Sequence, residues 1–243
     1  MSEPVRIHVL DKTVELFQPA DGFWTSLDSV MMAAACPAEK GDRILDLGCG
    51  VGGAGFCVLK RVSDTQLTGV DIQSDHVDLA TENAALNGMN ARADFIVGDM
   101  REYKNDERFH HIICNPPYLE AGTYLKSPSE KKATALGHQD HDIDIADWID
   151  AGFHNLKSRG SLTMIHRADT ADKIIRAMGK RFGGVDIIPL WPKVGKDAKR
   201  VIIRAVKDSK APARVHAGIT LHKDDGEYTD QADQILRGQE NID

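Results

Sequence analysis

No run of about 18 apolar residues, the length that spans a bilayer as a helix, occurs in this 243-residue chain. Its first residues, Met1-Ser2-Glu3-Pro4, lack the basic-then-apolar order of a secretory leader. Both absences predict a cytoplasmic protein. The four cysteines, Cys36, Cys49, Cys57 and Cys114, show no C-x-x-C spacing and are expected reduced and unpaired. Internal repeats and low-complexity segments are missing as well. With 42% hydrophobic and 28% charged residues, the disordered and fibrous classes drop out. An excess of positive charge is also lacking, since the net charge is −7. That mean conceals an asymmetry. Residues 1–120 hold 10 Lys/Arg against 19 Asp/Glu, whereas 157–214 hold 15 Lys/Arg against 5 Asp. A local positive field of that size can hold phosphates on an acidic chain.

What is present is an alternation of strand and helix patterns. Val5 to Val9 and Thr13 to Phe17 read as a short hairpin. A helix capped by Ser26 follows and stops at Pro37. Arg43 to Leu47 is a buried strand running straight into Gly48-Cys49-Gly50-Val51-Gly52-Gly53. Gly48, Gly50 and Gly53 satisfy G-x-G-x-x-G between a strand and a helix, where a ligand can approach bare backbone N–H groups. The next strand, Gln66 to Val70, ends at Asp71, placed to accept from both hydroxyls of a ribose; Ile72 adjoins it. Such a loop serves dinucleotides or S-adenosylmethionine. Asp46, two residues before Gly48, favours the second, because a carboxylate repels a pyrophosphate and attracts the ammonium of a methionine tail.

A third strand, Phe95 to Val97, leads to Asp99 and Met100, an acceptor for an adenine amine and an apolar cover for its ring. The fourth, Phe109 to Cys114, delivers Asn115-Pro116-Pro117-Tyr118. Two prolines stiffen that turn, and Pro116 pushes Asn115 towards extended geometry. A carboxamide, a backbone carbonyl and an aromatic face are thus presented together, an arrangement suited to a planar group carrying NH₂. Residues 119–141, with Lys126, Lys131 and Lys132, read as a substrate-facing lid. His138 and His141 have metal-ligand spacing, but the polar start of a helix capped near Asp142 or Asp144 is the better reading, and no metal is expected. A helix over 145–156, a strand Ser161 to His166, a helix of about 170–182 and a strand Val185 to Leu190 follow. A loop bearing Lys193, Lys196, Lys199 and Arg200 leads to a last, antiparallel strand Val201 to Val206. A helix capped by Thr229 lies in a tail expected to pack on an edge.

The sum is an α/β fold, a doubly wound, seven-stranded, mostly parallel sheet with a short N-terminal hairpin. One domain over 1–243 is expected: hairpin and helix 1–40, catalytic core 41–206, tail 207–243. Ligands would gather at the C-terminal ends of the strands, near the switch in strand order.

On these residues the chain resembles the class I S-adenosylmethionine-dependent methyltransferases, within the subgroup whose N-P-P-[YF] motif serves amino-group methylation. The leader QPADGFWTSLDSVMMAAA and the tail LHKDDGEYTDQADQILRG are similar to the bacterial tRNA(Val) adenine-N6 methyltransferase family. The resemblance implies a Rossmann-like methyltransferase fold and S-adenosyl-L-methionine as cofactor, held by Asp46, Gly48, Cys49, Gly50, Asp71, Ile72, Asp99, Met100 and Asn115. It implies catalysis at Asn115, Pro116, Pro117 and Tyr118, with RNA, most simply tRNA, as partner. Lys126, Lys131, Lys132, Lys193, Lys196, Lys199 and Arg200 are then expected along the RNA track. Glutamine N5 in a protein and guanine N2 in rRNA stand as alternative acceptors. Glutamine enzymes of this type carry a helical N-terminal domain, whereas only about 43 residues precede the first core strand here.

Overall fold

Ile44 and Leu45 are consecutive and both wholly buried, yet they belong to different cores. Successive strand residues point to opposite faces of a sheet, so a strand with adjacent apolar residues buried needs cover on both sides. The computed structural model of the chain, which describes residues 3–20, 25–118 and 143–243, supplies that cover with helices.

β1 (Val5–Val9) and β2 (Val14–Gln18) pair antiparallel as the expected hairpin. Then come α1 (Leu27–Ala35), β3 (Arg43–Leu47), α2 (Gly53–Arg61), β4 (Gln66–Asp71), α3 (Ser74–Leu86), β5 (Ala93–Val97) and β6 (Phe109–Cys114). α4 (Ile145–Asn155), β7 (Leu156–Arg167), α5 (Ala171–Met178), β8 (Phe182–Trp191) and β9 (Arg200–Lys207) complete the main succession. β10 (Arg214–Val215), β11 (Ile219–Thr220) and α6 (Asp230–Leu236) form the tail.

The sheet runs β10-β8-β9-β7-β6-β3-β4-β5, with β11 also pairing β8. β9 is antiparallel to both its neighbours, β7 and β8; the pairings among β3 to β7 are parallel. The seven expected strands are all present. The sheet nevertheless has nine, because β10 and β11 add to β8 as two-residue pieces too short to carry an alternating pattern. One face is packed by α1, α2 and α6 through residues such as Met31, Phe56 and Ile235. The other is packed by α4 and α5 through Trp148, Ile149, Ile174 and Met178.

Boundaries differ where glycines and caps act. α5 stops at Met178 rather than near 182, since Gly179 takes φ +55°. Ser26 occupies the N-cap position of α1 without a side-chain cap bond, and Gln73 occupies that of α3, likewise without one. α4 has a full capping box: Asp147 N–H donates to Asp144 Oδ1 at 3.0 Å and Asp144 N–H to Asp147 Oδ2 at 2.9 Å. Thr229 caps α6 as expected.

The hairpin is held in an unexpected way. Asn83 of α3 and Asn87, which caps its C-terminus, are four residues apart and offer their amides to the edge of β2 as a partner strand would. Asn83 accepts from Phe17 N–H at 2.7 Å and donates to Phe17 O at 2.9 Å; Asn87 does the same for Glu15 at 2.9 and 2.6 Å. Backbone groups of an edge strand need such partners when covered. Asn83 is wholly buried and also donates to Val51 O, in the glycine loop, at 3.1 Å. Among the described residues no helix is long and apolar enough to cross a membrane.

Candidate active site

Strand order reverses at β3, which has β4 on one side and β6 on the other. Leu47, the last residue of β3, is in register with Val70 of β4 and with Cys114, the last of β6. The glycine loop, Asp71 and Asn115 therefore leave neighbouring strands at one level. A cavity of about 340 Å³ opens there.

The glycine loop forms its floor. Gly48, Gly50 and Gly52 have φ of +63°, +53° and +87°, values that glycine adopts without steric cost. A Cβ on Gly48 would also come within 2.5 Å of Trp148 Cη2. Trp148, on α4, thus supports the loop from below and lines the cavity, a contact no motif announced. Asp71 orders the loop from the side: its Oδ2 accepts Gly50 N–H at 2.8 Å and its Oδ1 accepts Gln73 N–H at 2.9 Å. Asp46 lies beneath, 2% exposed, accepting from Gly55 N–H at 3.2 Å. Burial first, and Asp71 nearby, push its carboxyl up to about 8. Cys49 is buried in the same loop, its thiol raised well above the usual range chiefly by burial.

Ile72 and Met100 reach the cavity from the ends of β4 and β5; Ile72 is 49% exposed, a large apolar side chain left open at the cavity wall. Asp99 also lines it, with its carboxylate forked by the Arg101 guanidinium at 2.5 to 3.0 Å. An adenine amine would share that carboxylate with Arg101.

Asn115, Pro116, Pro117 and Tyr118 close the cavity on the β6 side. Among the described residues the Asn115 carboxamide makes no hydrogen bond, which leaves its oxygen available to a ligand. Tyr118 is fully engaged. Its hydroxyl donates to Asp28 Oδ2 at 2.6 Å, the Arg200 guanidinium stands over its ring at 4.6 Å, and His166 meets the ring at 4.9 Å and 68°. Burial, then Asp28, hold the hydroxyl well above the usual phenol range. His166 is buried with Nδ1 2.6 Å from Thr170 Oγ1, and burial takes its ring down to about 4, so it is neutral.

Arg200 also donates Nε to Asp28 Oδ2 at 2.9 Å. Among the described RNA-facing cations that were expected, it is therefore the one held by side chains of the cavity wall, Asp28 and Tyr118. Lys196 and Lys199 are exposed, and Lys193 donates to Asp224 O at 2.9 Å. Because β8 runs in the same sense as β7, its connection to β9 over 192–199 leaves from the C-terminal ends of these strands, the end of the sheet that holds the cavity. Trp24, Lys126, Lys131, Lys132, His138 and His141 lie outside the described residues. Among those described, no cluster of His, Cys, Asp or Glu is disposed to hold a metal ion.

Residues 25–129, which span the glycine loop and the Asn-Pro-Pro-Tyr turn, match the methyltransferase small domain family. Relatives aligned along most of the chain are methyltransferases too: 25% identity over 205 residues, 83% of each chain, to a tRNA1(Val) (adenine(37)-N6)-methyltransferase of Glaesserella parasuis. The chain is an S-adenosylmethionine-dependent methyltransferase. This methyltransferase is 26% identical over 211 residues, 86% of each chain, to the protein of the same name in Aeromonas hydrophila. A crystal structure from Agrobacterium tumefaciens, described as a predicted O-methyltransferase, superposes with a TM-score of 0.73 at 27% identity, covering 88% of this chain and 98% of that one.

S-adenosyl-L-methionine, the cofactor of the methyltransferase, supplies an electrophilic methyl group on a sulfonium. The residues present fit it. The glycines leave room that side chains would fill, Asp46 lies under the loop where an ammonium would need a carboxylate, and Ile72 with Met100 offers apolar cover for a ring.

Proposed function

We propose that the methyltransferase places the methyl group on the exocyclic N6 of an adenine in RNA, a tRNA being the acceptor class. One observation carries the reading: the unengaged Asn115 carboxamide, on a turn stiffened by two prolines, leaves β6 at the level where the glycine loop leaves β3. Donor and acceptor sites then face each other across the switch in the sheet. The names of the relatives aligned over most of the chain support the choice of acceptor.

An adenine N6 is a poor nucleophile because its lone pair is delocalised into the ring. Asn115 Oδ1 and the Pro116 carbonyl accept its two protons, which favours a pyramidal nitrogen with its lone pair turned towards the sulfonium methyl. These bonds strengthen as the nitrogen gains positive charge, so they stabilise the transition state more than the ground state. Tyr118 sets the plane of the base, and orientation supplies most of the remaining acceleration. No strong general base is required, since the product ammonium is acidic and sheds its proton after transfer. Asp71 accepts the ribose hydroxyls of the cofactor, and Asp46 its ammonium.

The test is methyl transfer from labelled cofactor into RNA lacking the modification, followed by nucleoside analysis. N6-methyladenosine is the expected product, reduced at least about 100-fold in Asn115→Ala with cofactor affinity retained. N2-methylguanosine, a 2′-O-methyl nucleoside, or methylglutamine from a protein acceptor would each displace the reading.

A further inference from the structure

We propose that Asp28 and Arg200 are positioning residues for the acceptor, fixing the plane of Tyr118 and, through the two prolines, the aim of Asn115. The role rests on the nucleobase reading above and extends it to side chains outside the motif.

Three groups form a closed triangle. One carboxylate oxygen, Asp28 Oδ2, takes the Tyr118 hydroxyl at 2.6 Å and Arg200 Nε at 2.9 Å, while the same guanidinium lies 4.6 Å from the centre of the Tyr118 ring. The two contacts restrain different motions. A hydrogen bond at the phenol oxygen fixes the far end of the side chain but leaves the ring able to turn about its long axis. A planar cation over one face opposes that turn. The Asp28 side chain is only 13% exposed, so the charge-assisted bonds are poorly screened.

The restraint passes to Asn115 because Pro116 and Pro117 have fixed φ and leave the turn few soft dihedrals. The triangle also explains its own parts. Asp28 sits in the first turn of α1 and Arg200 opens β9, 172 positions apart in the chain. An ion pair whose only task was to tie α1 to β9 would need neither the tyrosine hydroxyl on the same oxygen nor the stack on its ring. With its hydroxyl committed to Asp28, Tyr118 acts by orientation rather than by proton transfer.

Asp28→Asn and Arg200→Gln should each lower kcat by about 10- to 100-fold, the scale of a small misplacement of reacting groups. The KM for S-adenosylmethionine and the affinity for S-adenosylhomocysteine should stay near wild type. Asp28→Asn added to Tyr118→Phe should cost little beyond the larger single effect, because both remove one interaction. Arg200→Lys should restore less than half of the lost rate, having the charge but not the planar stack. Losses that multiply, or that follow the folded fraction on heating, would overturn the proposal. A readout without RNA runs alongside: the ¹³Cζ resonance of labelled Tyr118 should shift in Asp28→Asn, and an unmoved resonance rejects the triangle. If wild type methylates an acceptor other than adenine, the nucleobase reading falls, and the same kcat comparison on that acceptor still decides the triangle.

Discussion

Asp46 lies under the glycine loop with almost no exposed surface and a carboxyl raised to about 8 by burial. In the protein without ligand it therefore holds a proton at neutral pH. An ammonium needs the carboxylate, so below about pH 8 cofactor binding on the proposed geometry must expel that proton. Affinity then rises with pH, by up to about tenfold per unit, and levels off above the folded-state value. Calorimetric titration with S-adenosylmethionine between about pH 6 and 9 should show that rise in wild type and lose it in Asp46→Asn. A flat wild-type profile removes Asp46 from the ammonium site. At this scale the sequence was readable wherever neighbours in the chain are neighbours in space. Gly48 and Asn115 follow directly on β3 and β6, Asp71 ends β4, Met100 lies three residues past β5, and all come to one cavity. The partners of Tyr118 were hidden because Asp28 and Arg200 lie 90 and 82 positions from it, and Trp148 beneath Gly48 was hidden for the same reason.

The elements show the same division. Strands and helices with strong periodicity appear where expected, while β10 and β11 were too short to register. The attachment of the β1–β2 hairpin was unreadable, since an asparagine inside a helix pattern ordinarily signals only weak propensity. In the fold it replaces a missing strand. Asn83 and Asn87 differ in one respect, as only Asn83 reaches the glycine loop through Val51 O. Replacing either by Ala should lower stability by about 1–3 kcal/mol for the backbone groups left unpaired, seen as a lower denaturant midpoint with the slope unchanged. Asn83→Ala alone should also weaken cofactor binding. Equal cofactor affinities in the two variants would separate the hairpin from the loop.

Across the whole molecule the positive stretch 157–214 divides into two populations that composition could not distinguish. Arg204 and Arg214 converge on Asp186, Lys207 donates to the Phe153 and Leu156 carbonyls at the end of α4, and Arg181 pairs with Asp150. Those charges serve the fold. Lys193, Lys196 and Lys199 stand on the connection beside the cavity, and on the proposed function they meet phosphates. Changing all three to Gln should weaken RNA binding and reduce the slope of log affinity against log salt by about 0.7 to 0.9 per lost phosphate contact. Filter binding at several salt concentrations measures it, and an unaltered slope would move the RNA elsewhere.

The pairing of Leu47 with Cys114 makes the distance between the two halves of the reaction a property of the main chain. A deletion of one residue inside β6 would draw Asn115 back by about 3.3 Å and turn it to the opposite side of the sheet. Substitution of side chains along either strand could not reproduce such a jump. The alignment of methyl and amine is thus indexed in whole steps, like the teeth of a gear, and drift in the surrounding surface can change what is brought to the cleft without disturbing the mesh.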